Sequence, residues 1–428
     1  MLQQTESIEA LTGLANKVLP AGNLGNMPSK IVVRKGAGGR VWDTEGNEYI
    51  DFLLGSGPMI LGHAHPEVCT AVIEQVPNGS TFFVNNEHAI RLAAEIVAAI
   101  PCAEQVRFLS SGTEADAYAI RLARAFRRRP KILKFEGGYH GMSDWGLMSI
   151  WPKTSSNTGR GVPDTAGVPP GLQENVLVVP FNDLATAREV IHRHKEELSA
   201  VIVEPMQRLL VPQPGFLQGL REITSECGVL LIFDEIVTGF RLCYGGAQTY
   251  YGVTPDICTL GKIVGGGFAL SAVCGSADIM AHFDEKRVAS SDFMPQLGTL
   301  NGNPVAAAAG LATLGVLKRP GTYQKLFERG RILWTGIEKA LRDAGLPAVM
   351  LGEPSMFDVV FSTNPQIDDY RSLFAADKSM KARLNAELLK LGVLKSSEKM
   401  YLSVMHGVTE VSETISAFGA AAPRLIGR

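Results

Sequence analysis

The sequence lacks the features that mark nucleic-acid-binding, metal-binding and disulfide-rich proteins. Lys and Arg number 41 against 43 Asp and Glu, so the net charge of −2 gives no general attraction to a phosphate backbone or an anionic membrane. The 6 cysteines are scattered, with no CxxC pair and no Cys/His spacing suited to zinc. We therefore expect a reduced, cytoplasmic protein with no nucleic-acid partner, no disulfide framework and no bound metal.

Long apolar runs are also missing. The most apolar predicted helix, Pro304 to Leu317, is too short to span a bilayer, and the N-terminus MLQQTESIEA lacks a basic start followed by an apolar core. We expect neither a membrane anchor nor an export signal. The remaining composition is that of a folded globular protein, with 46% apolar and 20% charged residues, and 428 residues allow two or three domains.

Most of the chain alternates helices with short apolar runs. After a predicted hairpin over Arg40 to Phe52, helical segments from about Pro66 onward separate the runs VRFLS, KILKF, NVLVVP, AVIVEP, VLLIFDE, DICTLG and SAVCG. Runs that are apolar at consecutive positions indicate burial on both faces, as in a parallel sheet that is covered by helices. The pattern predicts an α/β fold whose large domain contains a mainly parallel seven-stranded sheet.

A smaller α+β domain is predicted from the two ends of the chain. The last portion is predicted to contain, in order, a helix over Tyr323–Ala344, a strand at MFDVVF, a helix over Ser379–Leu391, a strand at YLSVM and a helix over Glu410–Ala421. We expect residues 1–60 to join residues 319–428 in this small domain, and residues 61–318 to form the large one.

The residues that follow the apolar runs carry most of the functional information, because open parallel sheets bind ligands at the carboxyl ends of their strands. After VRFLS, the residues Ser111, Gly112 and Thr113 begin a helix whose N–H groups and hydroxyls suit a phosphate, although Ser and Thr are also ordinary N-caps. After KILKF, Tyr139 and His140 lie in a glycine-rich turn. There the Tyr139 ring either stacks on a flat cofactor or has only a structural role.

Three charged residues end the following strands. Asp234 follows VLLIF, and a carboxylate at the end of a buried strand needs a cation or several hydrogen-bond donors. Lys262 follows DICTLG, and it is either a solvated loop residue or a desolvated lysine that attacks a carbonyl to form a Schiff base. Glu204 ends AVIVEP and has the least defined role. Together these ends suit a ligand with a phosphate, a flat ring, a ring cation and an aldehyde, and pyridoxal 5′-phosphate has all four.

The motifs SSGTEA, EGGYHG, IVEPMQ, FDEIVTGFR, LGK and GTLNGNP resemble, in order and spacing, the class III aminotransferases of pyridoxal-phosphate fold type I. The resemblance runs from about Val41 to the end of the chain. Within that family the chain is most similar to the group that contains glutamate-1-semialdehyde aminomutase and the aminotransferases acting on β-phenylalanine or D-phenylglycine.

The resemblance implies a role for each motif residue. Lys262 would carry the cofactor as a Schiff base, and Asp234 would pair with the pyridinium nitrogen. The other implied cofactor contacts are Ser111, Gly112 and Thr113 at the phosphate, Tyr139 and Ile236 on the two ring faces, and His140 in the same set. Thr299 would reach the phosphate bound by the other subunit of a homodimer.

Two departures from the family concern the substrate. Many relatives that take α-keto acids carry GE(A/G)G after the EPxQ segment, with a glutamate that pairs with a movable arginine, whereas this chain has RLLV at positions 208–211. Relatives acting on β-phenylalanine carry an N-terminal arginine after a PGGN segment, whereas here AGN at 21–23 continues as LGN. Arg208 is a candidate to bind a substrate carboxylate in its place, with Glu204 nearby, or else it pairs with a surface carboxylate.

The predicted reaction is transamination between an amine or amino acid, including a β-amino acid, and a keto acid. The alternative is an isomerase, either an aminomutase or an epimerase, because the cofactor supplies the electronics and the pocket selects the outcome. A dinucleotide-binding oxidoreductase does not fit, since no GxGxxG follows the first strand of a βαβ unit.

Overall fold

The computed structural model describes residues 7–27, 31–152 and 159–426. The helices are α1 Ile8–Val18, α2 Pro66–Gln75, α3 Glu87–Ala99, α4 Gly112–Arg127, α5 Leu184–His194, α6 Phe216–Glu226, α7 Gly246–Tyr251, α8 Ala277–Met280, α9 Pro304–Leu317, α10 Thr322–Asp343, α11 Tyr370–Phe374, α12 Lys378–Lys390 and α13 Val408–Ala421. The strands are β1 Val33–Ala37, β2 Arg40–Asp43, β3 Glu48–Asp51, β4 Gln105–Leu109, β5 Lys131–Phe135, β6 Val176–Val179, β7 Leu198–Val203, β8 Leu230–Glu235, β9 Ile257–Leu260, β10 Ser271–Gly275, β11 Ala348–Glu353, β12 Met356–Phe361, β13 Val393–Leu394 and β14 Met400–Tyr401. No helix of these described ranges combines the length and the apolar character that crossing a membrane requires.

The large sheet has seven strands in the order β4-β10-β9-β8-β7-β5-β6, and the seven apolar runs of the sequence supply them. It is mainly parallel, as predicted, except that β10 runs antiparallel to both β4 and β9. Every residue of β6, β7, β8, β9 and β10 is buried. The consecutive apolar positions are thus explained by helices that cover both faces of the sheet.

The strand order brings the functional ends together at one edge of the sheet. The carboxyl ends of β4, β5, β7, β8 and β9 share this edge because the five strands are mutually parallel. The antiparallel β10 contributes its beginning instead, where Ser271 pairs with Leu109 and Ala272 pairs with Leu260. The residues just before β10 therefore join the strand ends that the sequence identified.

Helices with different burial patterns cover the two faces of this sheet. One is α4, which buries Ala115, Ala119 and Leu122 among its inward residues and ends in a partly exposed basic turn at Arg127. Another is α9, which is alanine-rich and buried almost throughout because it packs between α2 and α3 on one side and the turn after β9 on the other. This pattern confirms the predicted architecture of a sheet enclosed by helices.

The two ends of the chain form a smaller α+β portion around two further sheets. The predicted hairpin is present as β2 and β3, and β3 pairs in parallel with β13, so the N-terminal and C-terminal segments share one sheet of order β1-β2-β3-β13. A second sheet has the order β11-β12-β14. The proposed domain boundaries at residues 60 and 318 stay a prediction.

The predicted C-terminal elements are all present, but the structure adds β11, α11 and β13, which were not predicted from the sequence. The strand predicted at YLSVM is shorter, since β14 comprises only Met400 and Tyr401. After these residues the backbone leaves β12, and the amide of Val404 donates to the carbonyl of Ile60. Helices α10, α12 and α13 match the predicted helices within one or two residues.

Candidate active site

One cavity of about 390 Å³ opens at the carboxyl edge of the large sheet. Its volume is within the usual range for small-molecule sites. Eight of the residues predicted from the sequence line it, namely Ser111, Gly112, Thr113, Tyr139, Glu204, Asp234, Ile236 and Lys262. These residues come from five strand ends that are up to about 150 positions apart in the chain, so the fold assembles them as the strand-end rule requires.

The first turn of α4 forms one end of this cavity. Ser111 is the N-cap, and its hydroxyl accepts from the amide of Glu114 at 3.3 Å while the Glu114 carboxylate accepts from the amides of Ser110 and Ser111 at 2.9 Å. The role of Ser111 as an N-cap is therefore compatible with the predicted phosphate site at this helix start. The cap uses the amide of Glu114 and leaves the turn of Gly112 and Thr113 facing the cavity.

Gly141 holds the adjacent loop against this helix start. A Cβ at Gly141 would lie 2.6 Å from Thr113 Cα, and the residue has φ +76, so a larger residue would be excluded by both contact and conformation. The amide of Met142 also donates to Thr113 Oγ1 at 3.1 Å. The loop that carries Tyr139 and His140 is thereby fixed to the predicted phosphate end.

Lys262 lies in the turn immediately after β9, and its side chain lines the cavity. Its backbone has φ +50, a left-handed conformation that is uncommon for a residue with a Cβ and is concentrated at functional sites. Burial lowers the pKa of the Lys262 amine below its usual value. The structure thus supports a desolvated lysine rather than a solvated loop residue.

Asp234 is the penultimate residue of β8, lines the cavity and is almost fully buried. His140 Nδ1 donates to its Oδ2 at 2.7 Å, and the amide of Ile236 donates to its Oδ1 at 3.1 Å. His140 itself is buried and lies behind Asp234 rather than in the wall of the cavity. Its position therefore supports a role in orienting Asp234.

A second buried acid, Asp116, lines the same cavity from the inner face of α4. Burial, followed by the nearby Asp234 carboxylate, raises the pKa of Asp116 well above its usual range. Thr259 Oγ1 donates to Asp116 at 2.7 Å. The raised pKa favours the protonated form of Asp116 in this buried site.

The side-chain ligand atoms of Asp116, His140 and Asp234 lie within 4.8 Å of one another, a spacing that would also suit a metal ion. Within the cluster His140 Nδ1 donates to Asp234, whereas the buried His140 Nε2 has no hydrogen-bond partner among the described residues. The arrangement places the Asp234 side chain in the wall of the cavity, where a carboxylate suits a protonated ring nitrogen.

Tyr139 is positioned through its backbone. Its amide donates to Glu204 Oε2 at 2.9 Å, which gives Glu204, a buried residue of the cavity wall, a defined structural role. The Tyr139 ring is 36% exposed and lies on the open side of the cavity, whereas Ile236 is buried within it.

Lys134 was not identified from the sequence, although it holds the same loop. It lies inside the strand KILKF, whose other charged residue, Lys131, is at the first position, and its ammonium donates to the carbonyls of Gly138, Gly146 and Met148 at 2.9, 3.2 and 2.6 Å. Burial lowers the pKa of Lys134 to about 7. The signal that could have identified Lys134 was a charged residue inside an otherwise apolar run. For Asp116 the signal was an acidic residue in the alanine-rich start of α4.

Arg208 lies beside the cavity, outside its wall. Its Nε donates to the carbonyl of Gly137 at 3.0 Å, and its guanidinium lies 3.3 Å from Glu398 and 5.8 Å from the centre of the Tyr139 ring. Both sequence hypotheses thus have a structural counterpart, since Arg208 is close to Tyr139 and is also paired with the partly exposed Glu398. Thr299 lies on an exposed turn away from the cavity of its own chain.

The fold and this site define a pyridoxal-phosphate enzyme of fold type I. Residues 21–378 match the family described as "Aminotransferase class-III", and the chain belongs to that family. It is similar to "Glutamate-1-semialdehyde 2,1-aminomutase" from Citrifermentans bemidjiense, with 40% identity over 96% of both chains.

Two solved structures extend the comparison. The chain is similar to an omega-transaminase from Sphaerobacter thermophilus, with a TM-score of 0.93, 36% identity and 99% of both chains covered. It is also similar to a structure described as "Transaminase with PLP bound", with a TM-score of 0.89, 32% identity and the same coverage. The cofactor of the chain is therefore pyridoxal 5′-phosphate, and the lysine, the buried carboxylate and the helix N-terminus of the cavity fit its aldehyde, ring nitrogen and phosphate.

Proposed function

We propose that Lys262 binds the aldehyde of the cofactor, that Asp234 pairs with its ring nitrogen and that Ser111, Gly112 and Thr113 hold its phosphate. The support is geometric, since these groups line one cavity and come from separate strand ends. Tyr139 and Ile236 supply the remaining walls for the ring. Bound pyridoxal phosphate supplies an aldehyde for an amine and an electron sink for the substrate.

The proposed reaction is an aminomutase reaction, in which an amino group moves between neighbouring carbons of one small carboxylate-bearing amino aldehyde. The sequence favoured transamination and kept the isomerase as its alternative, but the comparisons back the alternative better. The observation that carries this choice is the aminomutase relative with 40% identity over 96% of both chains. We therefore propose glutamate 1-semialdehyde as the substrate to test first.

The chain's own residues account for the proton transfers. The buried amine of Lys262 lies in the cavity, where it can take a proton from one substrate carbon and return a proton to another. Asp234 would pair with the protonated ring nitrogen of the bound cofactor, and the raised pKa of the neighbouring Asp116 favours the neutral form of that second acid. His140 fixes the orientation of Asp234 at 2.7 Å.

A reaction without a second substrate tests this proposal. The holoenzyme is mixed with glutamate 1-semialdehyde without any keto acid or amine donor, and 5-amino-4-oxopentanoate is followed by NMR. We expect stoichiometric conversion that the Lys262→Ala variant does not catalyse. Failure to convert the semialdehyde while the enzyme turns over other amines with pyruvate would reject the aminomutase assignment and retain the family.

Transamination between two substrates is the second candidate. It is favoured by the omega-transaminase structure at a TM-score of 0.93, and by Arg208, which places a cation beside Tyr139 for a substrate carboxylate. A panel of amines and β-amino acids with pyruvate or 2-oxoglutarate as acceptor tests it. Activity that requires the acceptor in stoichiometric amount would establish this reaction in place of the isomerase.

We further propose a homodimer in the cytoplasm. Thr299 lies on an exposed turn between Leu297, which is 82% exposed, and Leu300, which is 49% exposed, and apolar side chains of this kind favour burial against another subunit. Sedimentation equilibrium should give twice the chain mass, and Leu297→Glu should reduce it. Thr299→Ala should weaken cofactor affinity in the intact dimer, and unchanged affinity would remove Thr299 from the proposed phosphate site.

A further inference from the structure

A second cavity, of about 330 Å³, lies apart from the cofactor cavity. Among the described residues, the two cavities share no lining side chain. The wall of the second cavity combines Arg208 and Leu209, which follow β7, with residues of β12, α11 and α12. Apart from Arg208, none of the site residues predicted from the sequence belongs to it. Its volume suits a small molecule.

Aromatic rings form much of this second wall. Trp151, Phe361, Tyr370 and Phe374 line the cavity together with Leu373. Phe361 and Tyr370 are buried, whereas Trp151 is 46% exposed and Phe374 is 40% exposed. Because both exposed rings line one cavity, a flat apolar ligand bound there would remove both from water.

One face of α12 supplies the polar part of the wall. Lys378, Lys381, Ala382 and Asn385 all line the cavity, and their spacing of three, four and seven positions places them on the same side of the helix. Asn385 Oδ1 accepts from Lys395 Nζ at 2.9 Å, and no hydrogen bond within the described part of the chain uses Asn385 Nδ2. This face therefore presents N–H donors to the cavity and no carboxylate.

The positive charge at this face is only partly compensated. Lys381 and Lys395 both lie against the buried Asp358, whose Oδ2 is 3.1 Å from the first ammonium and 2.8 Å from the second. Burial lowers the pKa of Lys395 only to about 8, so this lysine is still charged at pH 7. One carboxylate thus serves two ammonium groups, and Lys399 adds another cation to the wall.

The two acids of the wall already have partners. Glu398 lies 3.3 Å from the Arg208 guanidinium. Asp377 caps α12, where its side chain accepts from the amide of Met380 at 2.9 Å. The lysines of the wall are left with the excess charge, so the cavity complements an anion rather than a cation.

We propose that the second cavity binds a small aromatic carboxylate, with its ring against Trp151 and Phe374 and its carboxylate at Lys381 and Asn385. A carboxylate has two acceptor oxygens, and α12 offers it an ammonium and an amide that are neighbours one helical turn apart. The aromatic part of the ligand covers the exposed rings. This inference goes beyond the proposed reaction and does not depend on the role of Lys262 or of the cofactor.

Calorimetric titration of the full-length holoenzyme with 3-phenylpropanoate at pH 7 tests the site. We expect one bound molecule per chain, and weaker binding of 3-phenylpropanamide, which keeps the ring but carries no charge. Lys381→Met should weaken binding of the carboxylate by about tenfold, as expected when a charged hydrogen bond is lost, and should leave the amide nearly unchanged. Lys390→Met is the matched control on the same helix, since Lys390 pairs with Glu387 outside the cavity, and it should change neither.

A second variant locates the ligand. Ala382→Phe places a ring in the cavity from the same face of α12, so it should abolish binding, while circular dichroism and the cofactor absorbance show that the fold and the cofactor cavity are intact. Binding of 3-phenylpropanoate that is unchanged in folded Lys381→Met and Ala382→Phe would overturn the proposal, because the ligand would then lie elsewhere. Absence of binding to the wild type at millimolar concentration would overturn it too. Equal weakening of the acid and the amide by Lys381→Met would reject the carboxylate contact.

Discussion

Replacement of Lys134 by Met tests whether a buried ammonium holds the loop that carries Tyr139 and His140. The side chain of Met has a similar length but no donor, so the carbonyls of Gly138, Gly146 and Met148 would lose their partner. The residue is 1% exposed, and no acidic side chain of the described residues forms a salt bridge with it. Burial disfavours its charge, and the backbone dipoles of the loop, helped by the charges of Glu204, Asp164 and Asp234, offset this only in part.

The size of the effect follows from the pKa of Lys134, which burial lowers from 10.5 to about 7. A shift of this size corresponds to about 5 kcal/mol of disfavoured charge in the folded state. Below about pH 7 Lys134 is protonated in both the folded and the unfolded state. The free energy of unfolding is then lowered by this full amount. Between about 7 and 10.5 only the unfolded chain binds the proton, so the free energy of unfolding rises with pH by about 1.4 kcal/mol per unit.

Urea denaturation at about pH 7.5 and about pH 9.5 measures this difference. From the linkage slope, the free energy of unfolding of the wild type should gain about 2.5 kcal/mol more than that of Lys134→Met over this interval. Lys131→Met is the matched control on the same strand, since Lys131 pairs with the partly exposed Glu197, and it should follow the wild type. A difference between wild type and Lys134→Met that stays constant with pH would refute the reasoning and show that the three carbonyls fully compensate the burial.

Three further substitutions test the site itself. Lys262→Ala should abolish turnover while the phosphate contacts still retain the cofactor, because aldehyde binding and proton transfer fail together; activity without an added amine would contradict this. Asp234→Asn should keep the cofactor bound but slow proton abstraction by a factor of about 10²–10⁴, because an amide does not stabilise the ring cation as a carboxylate does. Stopped-flow absorbance measures this rate, and a near-normal value would remove Asp234 from this role. Arg208→Ala should raise KM for carboxylate-bearing substrates and leave neutral amines nearly unchanged, whereas equal effects on both classes would indicate that its pairing with Glu398 is only structural.

Much of the fold and most of the site could be predicted from local pattern. The seven apolar runs form the seven strands of the large sheet. They could be predicted because a run of consecutive apolar residues can be recognised within a short stretch of sequence. The rule that ligands bind at strand ends then selected residues such as Ser111, Asp234 and Lys262, all of which line one cavity. The ordered motifs added the family and its cofactor.

The tertiary structure decided what depends on neighbours that are distant in the sequence. The strand order β4-β10-β9-β8-β7-β5-β6 has no local signal, and it alone brings the beginning of β10 to the carboxyl edge. His140 could be predicted near the cofactor, but only packing shows that it lies behind Asp234, and only burial beside Asp234 raises the pKa of Asp116. Tyr401 and Lys262 both pack against Gly57, which brings together three segments that share no sequence pattern. Periodicity reports which residues are buried, whereas charge and proton placement depend on the identity of the residues that bury them.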